Sequence, residues 1–388
     1  MRSRKRHTIS AGDVHHWACG WLMQALPLKA PGWKCTTLAV WSILIRAAAR
    51  MSSLGAGCRD LSSAPSSQAV FDALDRGLPK TLKALENQLD RLLAGPLPGR
   101  WKRATWTIAV DWHLVPYYGQ PDRSRNELYY GKPTRGTTKF HAYATACIVS
   151  RGMRYTLAAT WVRRHESLVT GLRRLLGRID ARGLKIRRIL LDRAFFNVPV
   201  TEFLQARQTP FVMPVVFRGR PPRKKGPRRG LWWIRRQQAG WYIHTLRNGK
   251  RTVTIDVCVA YRTHKNRTDG KRKHQKLLFG SWRVSGTPQE VRQLYRKRFG
   301  IETSYRQQRQ ARIMTCTRDP HQRLLFFVIG LMLRNLWLWI HESRLSTGSG
   351  QDRILELWRL RFRQLLDWLA RRIEILFHDG STPCTHTP

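Results

Sequence analysis

Four residues within fifteen, Tyr295, Arg298, Glu302 and Arg309, fall at offsets of 0, 3, 7 and 14. A continuous α-helix gathers that spacing within roughly 60° of one face, at about 100° per residue. One carboxylate is then flanked by two guanidinium groups and a phenol. Carboxylates bind hard cations and guanidinium groups bind phosphate, so the set suits a metal ion and a phosphate held together. A salt-bridged structural face has the same spacing, so partners elsewhere must decide. Acids are scarce: residues 101–320 hold seven Asp and five Glu. Asp111 follows Thr-Ile-Ala-Val at the end of an expected buried strand, and Asp192 follows Arg-Ile-Leu-Leu at the end of another. A carboxylate there is costly unless it is paired or holds a metal. Asp111 alone reads equally as a strand-end carboxylate accepting backbone hydrogen bonds. Two strand-borne aspartates and one helix-borne glutamate together form an oxygen donor set for Mg²⁺ or Mn²⁺. Two such ions about 3.5–4 Å apart would activate an attacking oxygen and stabilise a leaving one. Asp122, Glu127, Asp180 and Asp269 sit in polar or basic surroundings and read as surface groups. Glu166 reads as a helix start, and Asp256 belongs to a strand away from these acids.

The elements that must position these side chains follow from periodicity and turn signals. Residues 36–94 have the 3–4 spacing of amphipathic helices, with a turn at 62–67 where Ser67 can cap the next helix. Gly95-Pro-Leu-Pro-Gly99 marks a boundary. Strands are expected at 105–111, 140–150, 155–162, 186–191 and 211–217, and helices at 166–182 and 199–207. That order describes an α/β layer with a mixed sheet. A basic low-complexity connection at 218–230 leads into strand-like pieces at 231–236, 240–246, 251–261 and 276–284, with a Lys/Arg-rich loop at 262–276. The helix carrying Glu302 starts at Thr287-Pro288, with Glu290 completing a capping box. Gly300 inside it serves either a close approach or a bend. An apolar helix at 321–342 is interrupted by Arg334-Asn335, well short of a membrane span, and reads as a core helix. An amphipathic basic tail follows at 352–377. The expected organisation is a basic arm and a helical, DNA-binding or merely packing unit over 1–99. Then come a core over 100–217, a β-rich basic insertion over 218–284, completion of the core over 285–345 and a helical tail over 346–388.

Composition narrows the partner. The chain has 388 residues, with 71 Lys+Arg against 24 Asp+Glu and a formal charge of +47. Such an excess repels itself and is usually compensated by a polyanion, phosphate backbones above all. The positive charge runs along the whole chain rather than along one amphipathic helix, which favours nucleic acid over a membrane surface. Seven scattered cysteines without a Cys-x-x-Cys give no disulfide framework or structural zinc, in keeping with a reducing, cytoplasmic compartment. Arg2 to Arg6 resemble the start of a signal peptide, but Asp13, His15, His16 and Gln24 interrupt the apolar run that follows, so the segment reads as a basic arm.

At this point the residues carry a resemblance. Asp111 in Ala-Val-Asp-Trp-His, Asp192 in Leu-Leu-Asp-Arg-Ala-Phe and Glu302 resemble the acid triad of the DDE transposases. The Tyr295, Arg298, Glu302, Arg309 pattern is similar to the signature of the insertion-sequence group named after Tyr, Arg, Glu and Lys, with Arg309 standing where that pattern has Lys. The long gap from Asp192 to Glu302 matches the β-rich insertion of that group, and the resemblance spans roughly residues 100–342. It implies a ribonuclease H-like core, with Asp111, Asp192 and Glu302 as ligands of two Mg²⁺ or Mn²⁺ ions. Tyr295, Arg298 and Arg309 would hold phosphates of a transposon end. Arg193 and Lys139, with His141 beside Lys139, are further phosphate candidates, and Trp282 is a candidate for stacking on a flipped base. The implied activity is metal-dependent cleavage of the 3′ ends of the element and their transfer into target DNA, by a homodimer on paired ends in a prokaryotic cytoplasm at the nucleoid. Two other readings stay open: a nuclease without strand transfer, and a domesticated, non-catalytic DNA-binding protein.

Overall fold

The computed structural model describes residues 8–28, 32–95, 97–120, 128–134, 136–150, 153–218, 229–265, 272–345 and 355–378. The basic start at 1–6, Asp122, Glu127, Asp269, most of the basic connection at 218–230 and the beginning of the tail lie outside them.

The core is one mixed sheet. Strand β1 (Thr105–Pro116) runs antiparallel to β3 (Thr137–Ser150), which pairs on its other side with β2 (Tyr129–Thr134) and β4 (Met153–Val162). On its opposite edge β1 runs parallel to β5 (Lys185–Leu190), and β5 parallel to β6 (Phe211–Pro214). Three antiparallel strands followed by two parallel ones give the ribonuclease H-like order. The chain between 218 and 284 continues this sheet rather than forming a separate layer. Strands β7 (Gly240–Asn248), β8 (Arg251–Lys265) and β9 (Arg272–Trp282) make a meander whose last strand lies antiparallel on β6. The piece expected as a strand at 231–236 is instead a helical turn, Leu231–Ile234. Gly230, at a positive φ of 54°, lets the chain reverse there, and its carbonyl accepts from Trp233 and Ile234 at 3.0 Å each.

Both faces of the sheet are covered, as alternation along β1 shows. Trp112 faces Gly171 of the helix Leu168–Asp180, with Cβ space for only 3.6 Å between them. Asp111 and His113 face the other way, where His113 lies 4.5 Å from the Tyr305 ring and 5.5 Å from Phe327. After α6 (Gly99–Arg103), α7 (Leu168–Asp180), α8 (Val198–Ala206) and the turn α9 (Leu231–Ile234), on that side run α10 (Pro288–Arg296), α11 (Phe299–Gln308) and α12 (Pro320–Ile340). Pro320–Leu345 is long and apolar enough to cross a membrane by length and composition, and 94% of its most apolar window is buried inside the protein. Asn335, fully buried on α12, explains why a polar residue belongs there. Its side chain exchanges hydrogen bonds with the Thr156 N–H (3.0 Å) and carbonyl (2.7 Å) and donates to Leu93 O (3.2 Å).

The N-terminal helices pack with the end of the chain. Residues 8–25, read as part of a basic arm, form instead α1 (Ala11–Ala25), and the residues that broke the apolar run have structural work there. Asp13 completes a capping box with Ser10, and His15 bonds Ser42 at 2.9 Å inside the core. Helices α2 (Thr37–Arg50), α3 (Leu54–Arg59), α4 (Ser67–Gly77) and α5 (Leu82–Ala94) fill the expected helical region, with Ser66 rather than Ser67 as cap. On α5, Glu86 accepts from Trp161 N (2.8 Å) and Thr160 Oγ1 (2.7 Å) and pairs with Arg178 (2.7 Å). This ties the helical layer to β4, an edge strand whose outward groups would otherwise be bare.

The tail helix α13 (Phe362–Leu376) closes over α2. Glu374 pairs with Arg46 at 3.2 Å and Arg50 at 2.7 Å, its side chain only 12% exposed. Burial alone would raise its pKa, but the hydrogen bonds and charges of Arg50 and Arg46 outweigh that and lower it. A lowered folded pKa contributes stability above the unfolded value, near 4.5, that is lost as pH falls through the folded one. Glu374→Gln is therefore expected to destabilise the protein by about 2–4 kcal/mol near pH 7, and by progressively less below about pH 4.5. Urea unfolding of both proteins across that range measures the difference.

Candidate active site

The register of the two parallel strands brings the first two acids together. Ala109 pairs with Leu190, so Asp111 and Asp192, each two residues further on, stand side by side. Asp192 lies just past the end of β5, whereas β1, expected to end at Asp111, runs on to Pro116 because its ladder with β3 continues to Phe140. Asp192 opens a short 3₁₀ turn and accepts from Arg193 N at 2.7 Å; Asp111 accepts from Trp112 N at 3.0 Å. The third acid arrives on α11, which is pinned to β1 and β3 by Tyr305. That hydroxyl lies 2.6 Å from Thr145 Oγ1 and 3.5 Å from Asp111 O. Arg298 holds the three together. Its guanidinium reaches Asp111 at 3.0 Å, Glu302 at 3.1 Å and Asp192 at 3.9 Å. The arginine side chain is 5% exposed, while the acids open progressively to solvent: Asp111 16%, Asp192 38%, Glu302 49%. Burial pushes the Asp111 carboxyl up to about 6, against the pull of Arg298 and with the push of Asp192.

The helix expected to be continuous from 288 to 309 tightens at Lys297-Arg298. There, Gly300 N bonds Lys297 O (3.0 Å) and Ile301 N bonds Arg298 O (2.8 Å) in 3₁₀ fashion. Both residues keep right-handed helical angles. Three residues per turn instead of 3.6 rotates α11 relative to α10, so the four motif side chains do not share one face. Tyr295 turns inward: its ring packs 5.0 Å from Phe279, and its hydroxyl donates to Leu191 O at 3.2 Å. It is a support beneath Asp192, not a group presented to a phosphate. Arg309 stands exposed at the C-cap of α11, and Arg296, Phe299 and Arg306 are exposed along the same pair of helices as Glu302. Gly300 answers its own question. A Cβ there would collide with the Arg154 side chain, so the residue permits a close approach.

Three other candidates sit differently from expectation. Lys139 lies six residues beyond Thr145, the partner of Asp111 on β3, which is about 20 Å at 3.4 Å per residue, so it is not brought to the acids. His141 beside it is buried against Tyr117 at 5.0 Å, and burial lowers its pKa to about 3. Trp282 is partly buried at the end of β9, where the Arg283 guanidinium lies over its ring at 4.5 Å. Arg193 is exposed next to Asp192.

Sequence reasoning missed Tyr305, whose only signal is its place three residues after Glu302, and Gly330 on α12. A Cβ on Gly330 would run into the Ala311 carbonyl and the Gln308 side chain, so this glycine sets how closely α12 approaches the end of α11. Gly330→Ala is expected to cost about 1–3 kcal/mol and to move the end of α11, lowering turnover more than its stability loss accounts for. Thermal unfolding and turnover measured on the same sample separate the two.

The donor chemistry at Asp111, Asp192 and Glu302, all carboxylate oxygen, fits Mg²⁺ or Mn²⁺. Among the described residues, however, no three His, Cys, Asp or Glu side chains stand close enough to share one ion. The three acids are spaced by the guanidinium between them.

A family model described as a transposase DDE domain matches residues 102–336. The chain belongs to that family. The match spans β1 through most of α12 and thus contains all three acids. In fold, this transposase resembles the piggyBac transposase solved as a synaptic complex with hairpin DNA. That likeness covers 96% of this chain and 81% of the other at a TM-score of 0.54 and 12% identity. It extends beyond the catalytic sheet into the flanking helices, since 96% of the chain takes part. No curated protein matches the transposase.

Proposed function

We propose that this transposase binds the terminal inverted repeats of its own element as double-stranded DNA, frees a 3′-hydroxyl at each end and joins it to target DNA. The observation that carries the reading is the convergence of Asp111, Asp192 and Glu302 within 4 Å of one buried guanidinium, with Arg296, Arg306 and Arg309 exposed along the helices that lead to and carry Glu302. In the first step water attacks the phosphorus, the P–O3′ bond breaks, and the proton from water balances the released 3′-hydroxyl. In the second, that hydroxyl attacks a target phosphodiester and a target 3′-oxygen leaves. Two divalent ions bound by the three carboxylates would supply the charge that activates the attacking oxygen and steadies the leaving one.

The protein's own groups then have separable tasks. The exposed arginines hold the backbone by charge-assisted hydrogen bonds. Tyr295 and Tyr305 fix the strand end and the helix that carry the acids. In the Tyr-Arg-Glu-Lys group to which we assign the chain, Arg309 takes the place of the lysine and keeps a cation there, with a fork in place of a point charge. A homodimer on paired ends, acting at the prokaryotic nucleoid, completes the reading.

The test is a reaction of the purified protein with Mg²⁺ and a duplex of the element's end, followed on a denaturing gel. Joining of a 3′-hydroxyl end to a second DNA supports the proposal. Cleavage without joining makes the protein a nuclease, and binding without cleavage makes it a DNA-binding descendant. A hairpin end, the form held in the piggyBac complex, would run as a distinct closed species.

A further inference from the structure

We propose that Arg298 is an internal counter-cation that couples metal loading to DNA binding: its guanidinium holds the three acids until DNA phosphate draws it away. The inference rests on the reading that these acids take a divalent ion beside DNA. Three observations carry it. First, one buried guanidinium contacts all three carboxylates, at 3.0, 3.1 and 3.9 Å. Second, the acids so arranged do not make a group of three that could hold one ion. Third, the Arg298 Nε is buried without a hydrogen-bond partner, so the head is held by its two terminal nitrogens alone and is not locked along its stem.

Charge decides the rest. Three carboxylates and one guanidinium sum to a net charge of −2. A divalent ion entering while the guanidinium stays meets a cation already seated among its ligands. A phosphate arriving over the open side, where Glu302 and Asp192 are most exposed, offers the planar guanidinium two non-bridging oxygens as a two-point partner. Moving the head onto that phosphate leaves the carboxylates with a net charge of −3 and draws them towards a metal. Because coupling is reciprocal, DNA must raise metal affinity by the same factor that metal raises DNA affinity. Arg298 is thus a positioning residue as well as a phosphate contact.

The test is Mn²⁺ binding followed by electron paramagnetic resonance, with and without a random-sequence duplex, on full-length wild type, Arg298→Gln and Arg298→Lys. Without DNA, Arg298→Gln is expected to bind Mn²⁺ at least about tenfold more tightly than wild type, equivalent to about 1.4 kcal/mol. Duplex should tighten Mn²⁺ binding by wild type by a similar factor and change Arg298→Gln little, with Arg298→Lys between. Equal Mn²⁺ affinity of wild type and Arg298→Gln without DNA overturns the inference and leaves the metal-site reading intact. If no protein binds Mn²⁺ under any condition, the metal-site reading fails and the inference with it. Should Arg298→Gln not fold, wild type alone decides, since an affinity unchanged by duplex overturns the coupling.

Discussion

Replacing Asp111 with asparagine is expected to lower DNA cleavage by at least about 10³-fold while leaving DNA binding in place. Asp111 is the least exposed of the three acids and is held within β1, so no neighbouring carboxylate can take its position. The same substitution carries a second expected result that does not depend on catalysis. Burial raises the Asp111 carboxyl from 3.8 to about 6. A carboxyl raised by folding adds stability below its unfolded pKa, and that stability is lost as pH rises through the folded one. In chelator-containing buffer, wild type should therefore lose stability relative to Asp111→Asn between about pH 4 and pH 6, by about 2–3 kcal/mol. Glu374 and the other acids titrate in both proteins and cancel in the comparison. Urea unfolding at the two ends of the window measures it, and a constant difference would refute the account of Asp111 as a carboxylate held against its own burial.

Asn335→Leu is expected to be the most damaging single change outside the acids, costing about 3–5 kcal/mol. The side chain satisfies three backbone groups on two different elements, the N–H and carbonyl of Thr156 on β4 and the carbonyl of Leu93 on α5. Leucine matches the volume, so the loss comes from buried polar groups left without partners, at about 1–3 kcal/mol each. Chemical unfolding gives the number. A loss under about 1 kcal/mol would mean that water replaces the amide. Because Asn335 bonds none of Asp111, Asp192 and Glu302, catalysis by the surviving folded fraction should be close to normal.

The catalytic end of the fold was legible because it depends on short-range signals. Apolar runs before Asp111 and Asp192 located two adjacent strands, of which only the second ends there, and the Thr287-Pro288 start with Glu290 located α10, which leads into the helix that supplies Glu302. What the sequence left unread depends on register and on partners far along the chain. Lys139 reads as a phosphate contact because nothing local in the sequence says that β3 pairs Thr145, six residues away, with Asp111. Tyr295 reads as a phosphate ligand only on an unbroken helix, whereas two residues of 3₁₀ geometry rotate it inward onto Leu191. Asp13 and His15 interrupt the apolar run and make the segment read as a basic arm, yet one is a helix cap and the other bonds a serine 27 residues on. The likeness between a phosphate-binding arginine and an internal counter-ion is complete at the level of spacing. Only the three distances to Arg298 separate them.

The contact between α2 and α13 sets a clock on synthesis. Arg46 is buried against Glu374, 328 residues later in the chain. At about 5–20 residues per second, a ribosome that has delivered Arg46 needs between about 15 s and about a minute to deliver its partner. Through that interval the apolar face that α13 covers has no native cover, and the loop to be closed is nearly the whole protein. The helical layer therefore matures last although most of it is made first. A chain released before residue 374 would carry all three acids and an unfinished layer around them.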